Sequence, residues 1–339
     1  MKSKEIVIRS VEFRYPERIP LMLESCGYSD VINTFICPDE EWSSELPEWS
    51  FENKPGRYID EWGCVWTVLK ENDMGQVTGH PLADIKKITN YKFPDPYVKG
   101  RFKEVFEIKN YDKYRLFWIQ LTLFERLYML HGFSETLIDI MHKTKEIEYL
   151  LDSILGFNLE ILGRINTEKI PVDGIGITDD WGTQTSLFIS PKIWRNVFKK
   201  RYKRLIDFAH KYGLHVWMHS DGKINDIMDD LVDIGLDAIN LNSPELLGIE
   251  EIGEKYRGKI SFFSSIDTQK TLISGSKKEI RDEIEKVINS WASRKGGFII
   301  YLDDGNYSTL GVSAERKKTV ADILKEYTDY LSSNCPAEC

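Results

Sequence analysis

From about residue 115 onward, short apolar runs alternate with longer stretches in which apolar positions recur every three or four residues. That alternation predicts strands followed by helices. Val172–Ile177 is β-branched and Gly-spaced, so it reads as a buried strand running into Thr178-Asp179-Asp180-Trp181-Gly182. Ser190 followed by Pro191 marks a helix start, since the hydroxyl can cap free amides and proline fits the first helical position. Trp194, Phe198, Tyr202, Leu205, Ile206 and Ala209 continue that helix, and Gly213 stops it. Leu214–Met218 is then the next strand, delivering His219-Ser220-Asp221-Gly222.

The same reading extends in both directions. Upstream, Lys4–Phe13 is a short helix, Ile19–Leu23 a first strand, Arg115–Gln120 a strand leading to Glu125 and Arg126 on a helix, and Lys145–Asn166 a long helix. Downstream come strands at Asp237–Leu241, Lys259–Phe263 and Gly297–Leu302. Helices are expected at Ile224–Ile234, Ile249–Tyr256, Lys277–Arg294 and Ala314–Tyr330. The count is seven strands; an eighth is not visible. Repeated βα units imply a parallel sheet, and this many imply an α/β fold closed as a (β/α)8 TIM-type barrel. Arg57–Trp66 and Asp73–His80 read as an inserted hairpin in an irregular, aromatic-rich region. The expected organisation is one barrel domain over residues 1–331, interrupted near 57–80, with a disordered tail at 332–339. Trp62 and Trp66 are expected to pack the insertion, the alternative being an aromatic lid.

Composition narrows the class. A chain of 339 residues with 42% hydrophobic content can bury one large core. No apolar run approaches the ~20 residues needed to cross a bilayer, and the charged start lacks the apolar segment of a signal peptide. Five cysteines without CxxC spacing give no disulfide framework. These features predict a soluble cytoplasmic protein without a membrane partner. A net charge of −9 argues against nucleic acid as a partner. No GxGxxG or P-loop pattern succeeds any strand. The basic run Lys199, Lys200, Arg201, Lys203 and Arg204 is read as a solvated helix face, with docking of an acidic protein as the alternative.

In α/β barrels, chemistry sits at the carboxyl ends of the strands. The residues at those ends are Glu24 and Tyr28, Gln120 and Glu125, Asp179 and Asp180, and His219 and Asp221. The later strands add Asn240 and Asn242, Ser265 and Asp267, and Asp303 and Asp304. This is a ring of acids, amides and one histidine. Any Asp or Asn among them can instead cap a helix. For Asp267 the cap is as good a reading as catalysis. A histidine ending a buried strand has little structural purpose unless something binds it.

The stretch DDWGTQTSLFISPKIW…LIDFAHKYGLHVWMHSDGKI resembles the uroporphyrinogen decarboxylase superfamily, which includes corrinoid-dependent methyltransferases. The resemblance runs from about Glu12 to Tyr327 and includes the lead-in PERIPLMLE. True decarboxylases of the family follow that lead-in with arginines that hold porphyrin carboxylates; here Glu24-Ser25-Cys26-Gly27-Tyr28 holds none. DEWGCVW…MGQV…HPLAD is similar to a segment of the methyltransferase-like and O-demethylase-like branch. Zinc methyltransferases of the superfamily carry His-x-Cys and a later Cys where this chain has His219-Ser220-Asp221 and, near the second place, Asp303-Asp304. Both thiolates are absent, and the harder N/O set suits polarising an oxygen rather than a thiol.

The resemblance implies a methyltransferase, the O-demethylase component, moving a methyl group from a methoxylated aromatic substrate to the Co(I) corrinoid of a partner protein. The expected metal ligands, with zinc as the ion, are His219, Asp221 and one of Asp303 and Asp304. Asp180 or Glu125 is the expected acid, His219 a catalytic residue as well, and Trp181, Trp217, Phe124, Tyr28 and Asn240 the substrate contacts. No DxHxxG cobalamin-ligating motif occurs, so the corrinoid is expected on a separate protein. One rival is a metal-free decarboxylase of a small carboxylated substrate, with Asp180 holding a developing cation. Another is a non-catalytic binding protein, against which the ring of acids speaks.

Overall fold

Side chains of a strand point alternately to its two faces, so in a barrel every second residue faces the axis. In the computed structural model, which describes residues 1–39, 54–71, 73–302 and 310–330, that alternation sorts the core into two. One apolar cluster lies between the strands and the surrounding helices. A smaller one fills the barrel interior, with Tyr114, Leu116, Trp118, Trp217, Phe263 and Ile299 among its members.

The strands are β1 (Leu21–Leu23), β2 (Tyr28–Ser29), β3 (Val31–Phe35), β4 (Gly56–Ile59), β5 (Val65–Val68), β6 (Gln76–Gly79), β7 (Tyr114–Ile119), β8 (Gly174–Thr178), β9 (His215–His219), β10 (Ala238–Asn240), β11 (Ser261–Ser264) and β12 (Phe298–Tyr301). Nine of them form one sheet in the order β2-β1-β12-β11-β10-β9-β8-β7-β3. All pairs are parallel except β1 with β2, so setting β2 aside leaves eight parallel strands. This is the α/β TIM-type barrel the sequence predicts. The eighth strand is β3, reached from β1 through one 3-10 turn and β2 rather than through a helix. The two ends of the sheet meet at Asp30: its amide donates to the Leu21 carbonyl, and its carboxylate accepts from the Leu21 amide and from Arg18 at two points.

Gly174 and Gly176 explain the glycine spacing of β8. A Cβ on Gly174 would lie 2.2 Å from the Tyr114 hydroxyl, and one on Gly176 would lie 2.3 Å from the Trp118 ring. The neighbouring strand therefore carries large rings only because β8 carries none. The helix begun by Ser190 and Pro191 has the expected cap, Ser190 accepting from the Ile193 amide. It also contains a π segment at Arg195–Lys199. That wider i→i+5 turn helps keep Trp194, Phe198 and Tyr202 on one line, so that all three meet Trp181.

Strands β4, β5 and β6 form a separate antiparallel sheet, so the expected hairpin is three strands rather than two. Trp62 and Trp66 are buried within this insertion, in keeping with packing rather than a lid. Asp303, Asp304 and the tail at 332–339 lie outside the described residues.

Adding a methyl at Gly176 should overpack the barrel. Gly176→Ala is expected to destabilise by about 2 kcal/mol, a fall of about 3 °C in melting temperature for a chain this long. Trp118→Leu in the same chain should restore part of the loss, as thermal melts of single and double variants would reveal.

Candidate active site

The β8–β9 ladder does not end with the strands. Asp179 N donates to His219 O (3.2 Å), Gly182 N to Asp221 O (3.1 Å) and Lys223 N to Thr183 O (2.8 Å). Trp181 N donates to Ser220 Oγ at 3.1 Å, which turns Ser220 away from its neighbours. The two loops touch at Gly182 and Gly222, where a Cβ on either would overlap the other's backbone at 2.1–2.5 Å. Asp221 N then donates to Asp180 Oδ1 at 2.7 Å.

This pairing brings Asp180, His219 and Asp221 together, each offering one ligand atom within 4.8 Å of the others. His219 Nε2 is 3.7 Å from Asp180 Oδ1 and 3.8 Å from Asp221 Oδ2. Those spacings are too long for hydrogen bonds. Two ligands at ~2.0–2.2 Å from one ion can lie this far apart, so the donor set fits a divalent cation such as zinc.

Asn240 decides which imidazole nitrogen faces that point. Its Nδ2 donates to the Phe263 carbonyl at 2.6 Å, which leaves Oδ1 as the acceptor for His219 Nδ1, also at 2.6 Å. His219 therefore carries its proton on Nδ1 and turns the Nε2 lone pair toward the two carboxylates. Asn240 is fully buried. Its two hydrogen bonds orient His219, at a residue the sequence offered as a substrate contact.

Glu125 lies in the first turn of the helix Phe124–His131, and Asp179 anchors that helix start from the opposite loop. Asp179 accepts from the amides of Leu123 (2.9 Å) and Glu125 (2.8 Å) and from the Tyr202 hydroxyl (2.6 Å). It is wholly buried, and burial pushes its carboxyl up to about 7 despite those three donors. Among the described residues, the Glu125 carboxyl receives the Thr178 hydroxyl alone, at 3.0 Å. Burial, followed by the charges of Asp180 and Asp179, raises its carboxyl well above the ordinary glutamate value. Glu125 is thus the protonated acid of the group, beside the open carboxylates of Asp180 and Asp221.

Several expected substrate contacts lie elsewhere. Trp217 faces the barrel axis two residues below His219 and stacks on Tyr114, so it belongs to the interior core. Trp181 and Phe124 stack on each other at 4.3 Å and are fully buried, backing the mouth rather than lining it. Tyr28 lies under the Lys325 ammonium, 3.7 Å from its ring centre. Asp267 caps the turn after it, accepting from Gln269 and Lys270 amides. In the basic run, Lys199 pairs with Asp230 and Asp233, Arg201 with Glu148 and Asp152, and Lys203 with Asp207. The solvated-face reading fits that self-pairing.

Eight parallel strands with a histidine–carboxylate cluster and a buried acid at their carboxyl ends define an α/β-barrel protein with an enzyme-like mouth. The family model described as uroporphyrinogen decarboxylase (URO-D) matches residues 121–327, and the chain belongs to that family. Among solved structures, a methyltransferase from Methanosarcina mazei shares the fold with TM-score 0.69 and 14% identity, over 96% of this chain and 99% of that one. A D-psicose 3-epimerase in the presence of D-fructose aligns with TM-score 0.42 and 9% identity, over 73% of this chain and 86% of that one. No curated protein matches the chain in sequence. Among the described residues, no helix is long and apolar enough to cross a membrane.

Asn240→Leu should let the His219 proton move between nitrogens. Loss of such an outer partner weakens metal binding by about 10–100-fold, readable as zinc affinity by chelator competition. Nitrogen-15 NMR of the parent should report the Nδ1-protonated tautomer.

Proposed function

We propose that the chain is a methyltransferase of the O-demethylase type. It moves a methyl group from a methoxylated substrate to the reduced corrinoid of a partner protein. The observation that carries this reading is the convergence of Asp180, His219 and Asp221 beside a buried, protonated Glu125. The fold shared with a protein described as a methyltransferase supports the class.

An unactivated ether is a poor leaving group, because its oxygen would depart as an alkoxide or phenoxide. Something must neutralise that oxygen as the C–O bond breaks. His219, Asp180 and Asp221 are the residues that would hold a divalent ion such as zinc, which would supply Lewis-acid polarisation of the oxygen. Glu125 gives its proton to the oxygen as the C–O electron pair collects there, and the methyl carbon leaves with the acceptor's own pair. The demethylated product carries away the Glu125 proton as a hydroxyl hydrogen, and solvent restores it. Asn240 and Asp179 position the two reacting groups without meeting the substrate.

A carboxylated substrate fits less well, although the family's name describes a decarboxylase. A further anion would stand against the open carboxylates of Asp180 and Asp221 at the same mouth.

His219→Ala should lower methyl transfer by roughly a thousandfold, at ~1.4 kcal/mol per decade, with the melting temperature nearly unchanged. A mutant that melts several degrees lower yet turns over normally would remove His219 from the site. Because Glu125 must be protonated and its carboxyl is raised above the ordinary glutamate value, activity should fall as pH rises past that raised value. Glu125→Gln should be slow and lose this alkaline limb; a pH profile of kcat for both enzymes is the measurement.

A further inference from the structure

Leu121, two residues past β7, carries backbone strain. Its φ of 53° puts a bulky residue in the left-handed region that favours glycine. Such a conformation persists only where its surroundings hold it. Here the Leu121 side chain is buried in the outer core, and its amide donates to Thr178 Oγ1 at 2.8 Å. The strained turn therefore aims one buried N–H at one hydroxyl.

Thr178 ends β8 and, two residues on from Gly176 and four from Gly174, lies on their axis-facing side of the strand. The same turn fixes its backbone. The Thr178 amide donates to Thr122 Oγ1 (3.0 Å), and the Thr122 amide donates to the Thr178 carbonyl (2.9 Å). Thr122 Oγ1 gives its own hydrogen to the Ile119 carbonyl (2.7 Å). Asn158 Nδ2, from the long helix Lys145–Thr167, donates to the Thr122 carbonyl (2.7 Å). Thr122, Asn158 and Thr178 are all buried.

A hydroxyl has one hydrogen. Thr178 Oγ1 accepts from the Leu121 amide, and among the described residues its hydrogen has one acceptor, Glu125 Oε2 at 3.0 Å. The opposite polarity, with Glu125 donating, would bury the Thr178 hydrogen without a partner, which is costly. Glu125 Oε2 is thus the accepting oxygen of a neutral carboxyl. Oε1, which receives no hydrogen bond among the described residues, is left to carry the proton.

From this chain of donors we propose that Thr178 is a positioning residue, its hydroxyl polarised by the strained Leu121 amide so that the Glu125 proton sits on Oε1, free for delivery. The catalytic consequence rests on the methyl-transfer reading, whereas the placement of the proton does not. The two can fail separately.

Infrared spectroscopy of the protein as purified tests the placement. The carboxyl C=O band that Glu125→Gln removes should lie at the lowered frequency of a hydrogen-bonded carbonyl. Thr178→Val keeps the side-chain shape without the hydroxyl, so the band should move up. In Thr178→Ser it should stay at the parent position. With 2-methoxyphenol as donor and cob(I)alamin as acceptor, Thr178→Val should lose about a hundredfold in kcat with KM little changed, as a misplaced reacting group does. Thr178→Ser should recover most of that loss. Packing alone would lower the Thr178→Val melting temperature and leave the band in place. A band that does not move in Thr178→Val, a parent band at the free-carbonyl frequency, or no band lost in Glu125→Gln would overturn the placement. The last two comparisons need only parent and Glu125→Gln, so they decide the matter even if Thr178→Val does not fold. A folded Thr178→Val enzyme that turns over like the parent would overturn the positioning role. If the bands behave as expected but no variant demethylates 2-methoxyphenol, the methyl-transfer reading fails and the proton's placement stands.

Discussion

The contact of Gly182 with Gly222 sets the geometry on which the mouth depends. With backbone against backbone, the β8 and β9 loops continue in register past their strands. The Asp221 amide then reaches Asp180, and both carboxylates stand near His219 Nε2. Like charges held together by the main chain cannot relax apart by changing rotamers alone. Their repulsion is relieved by a cation between them or by a proton on a neighbour. Both outlets exist here: a histidine lone pair completes a cation site, and Glu125 takes the proton.

Among the described residues, four acidic side chains share this mouth, and their surroundings divide the work. Asp179 has three donors and no exposure, so it serves as an anchor. Asp180 and Asp221 keep open faces and could serve a cation as ligands. Glu125 is buried with a single hydroxyl donor among the described residues, which leaves its neutral form favoured. A cation on Asp180 and Asp221 would weaken their effect on Glu125. Burial is the larger cause of the shift, so part of it does not depend on those two charges.

Much of this arrangement was legible in the sequence, and the failures have physical causes. Strand periodicity and helix caps located seven strands and the His219-Ser220-Asp221 turn. The eighth strand, β3, escaped because no helix separates it from β1, and a barrel strand betrays itself in sequence through its βα spacing. Periodicity also reveals which residues face the barrel axis but not how deep they lie. Trp217 and His219 share one face of β9, yet one fills the interior and the other stands at the mouth. Asn240 likewise faces inward but is sealed by its two hydrogen bonds. Asp179 and Asp180 are adjacent and chemically identical, so only the fold could tell anchor from ligand.

The inserted sheet completes the electrostatic argument. Arg126 is the next residue after Glu125, and a guanidinium beside that carboxyl would favour its ionised form. Instead Arg126 lies over the Trp62 ring at 4.6 Å, and its Nη1 donates to Asp60 at 3.3 Å. Asp60 is itself fixed by the amides of Trp62 and Cys64 and by the Trp66 indole. Burial pushes Asp60 up to about 6 and Arg126 down to about 9, the charge of Asp179 partly offsetting the fall at Arg126. The insertion therefore does more than cover the barrel's side. It supplies the Asp60 carboxylate and the Trp62 ring that hold the Arg126 guanidinium one residue along the helix from Glu125.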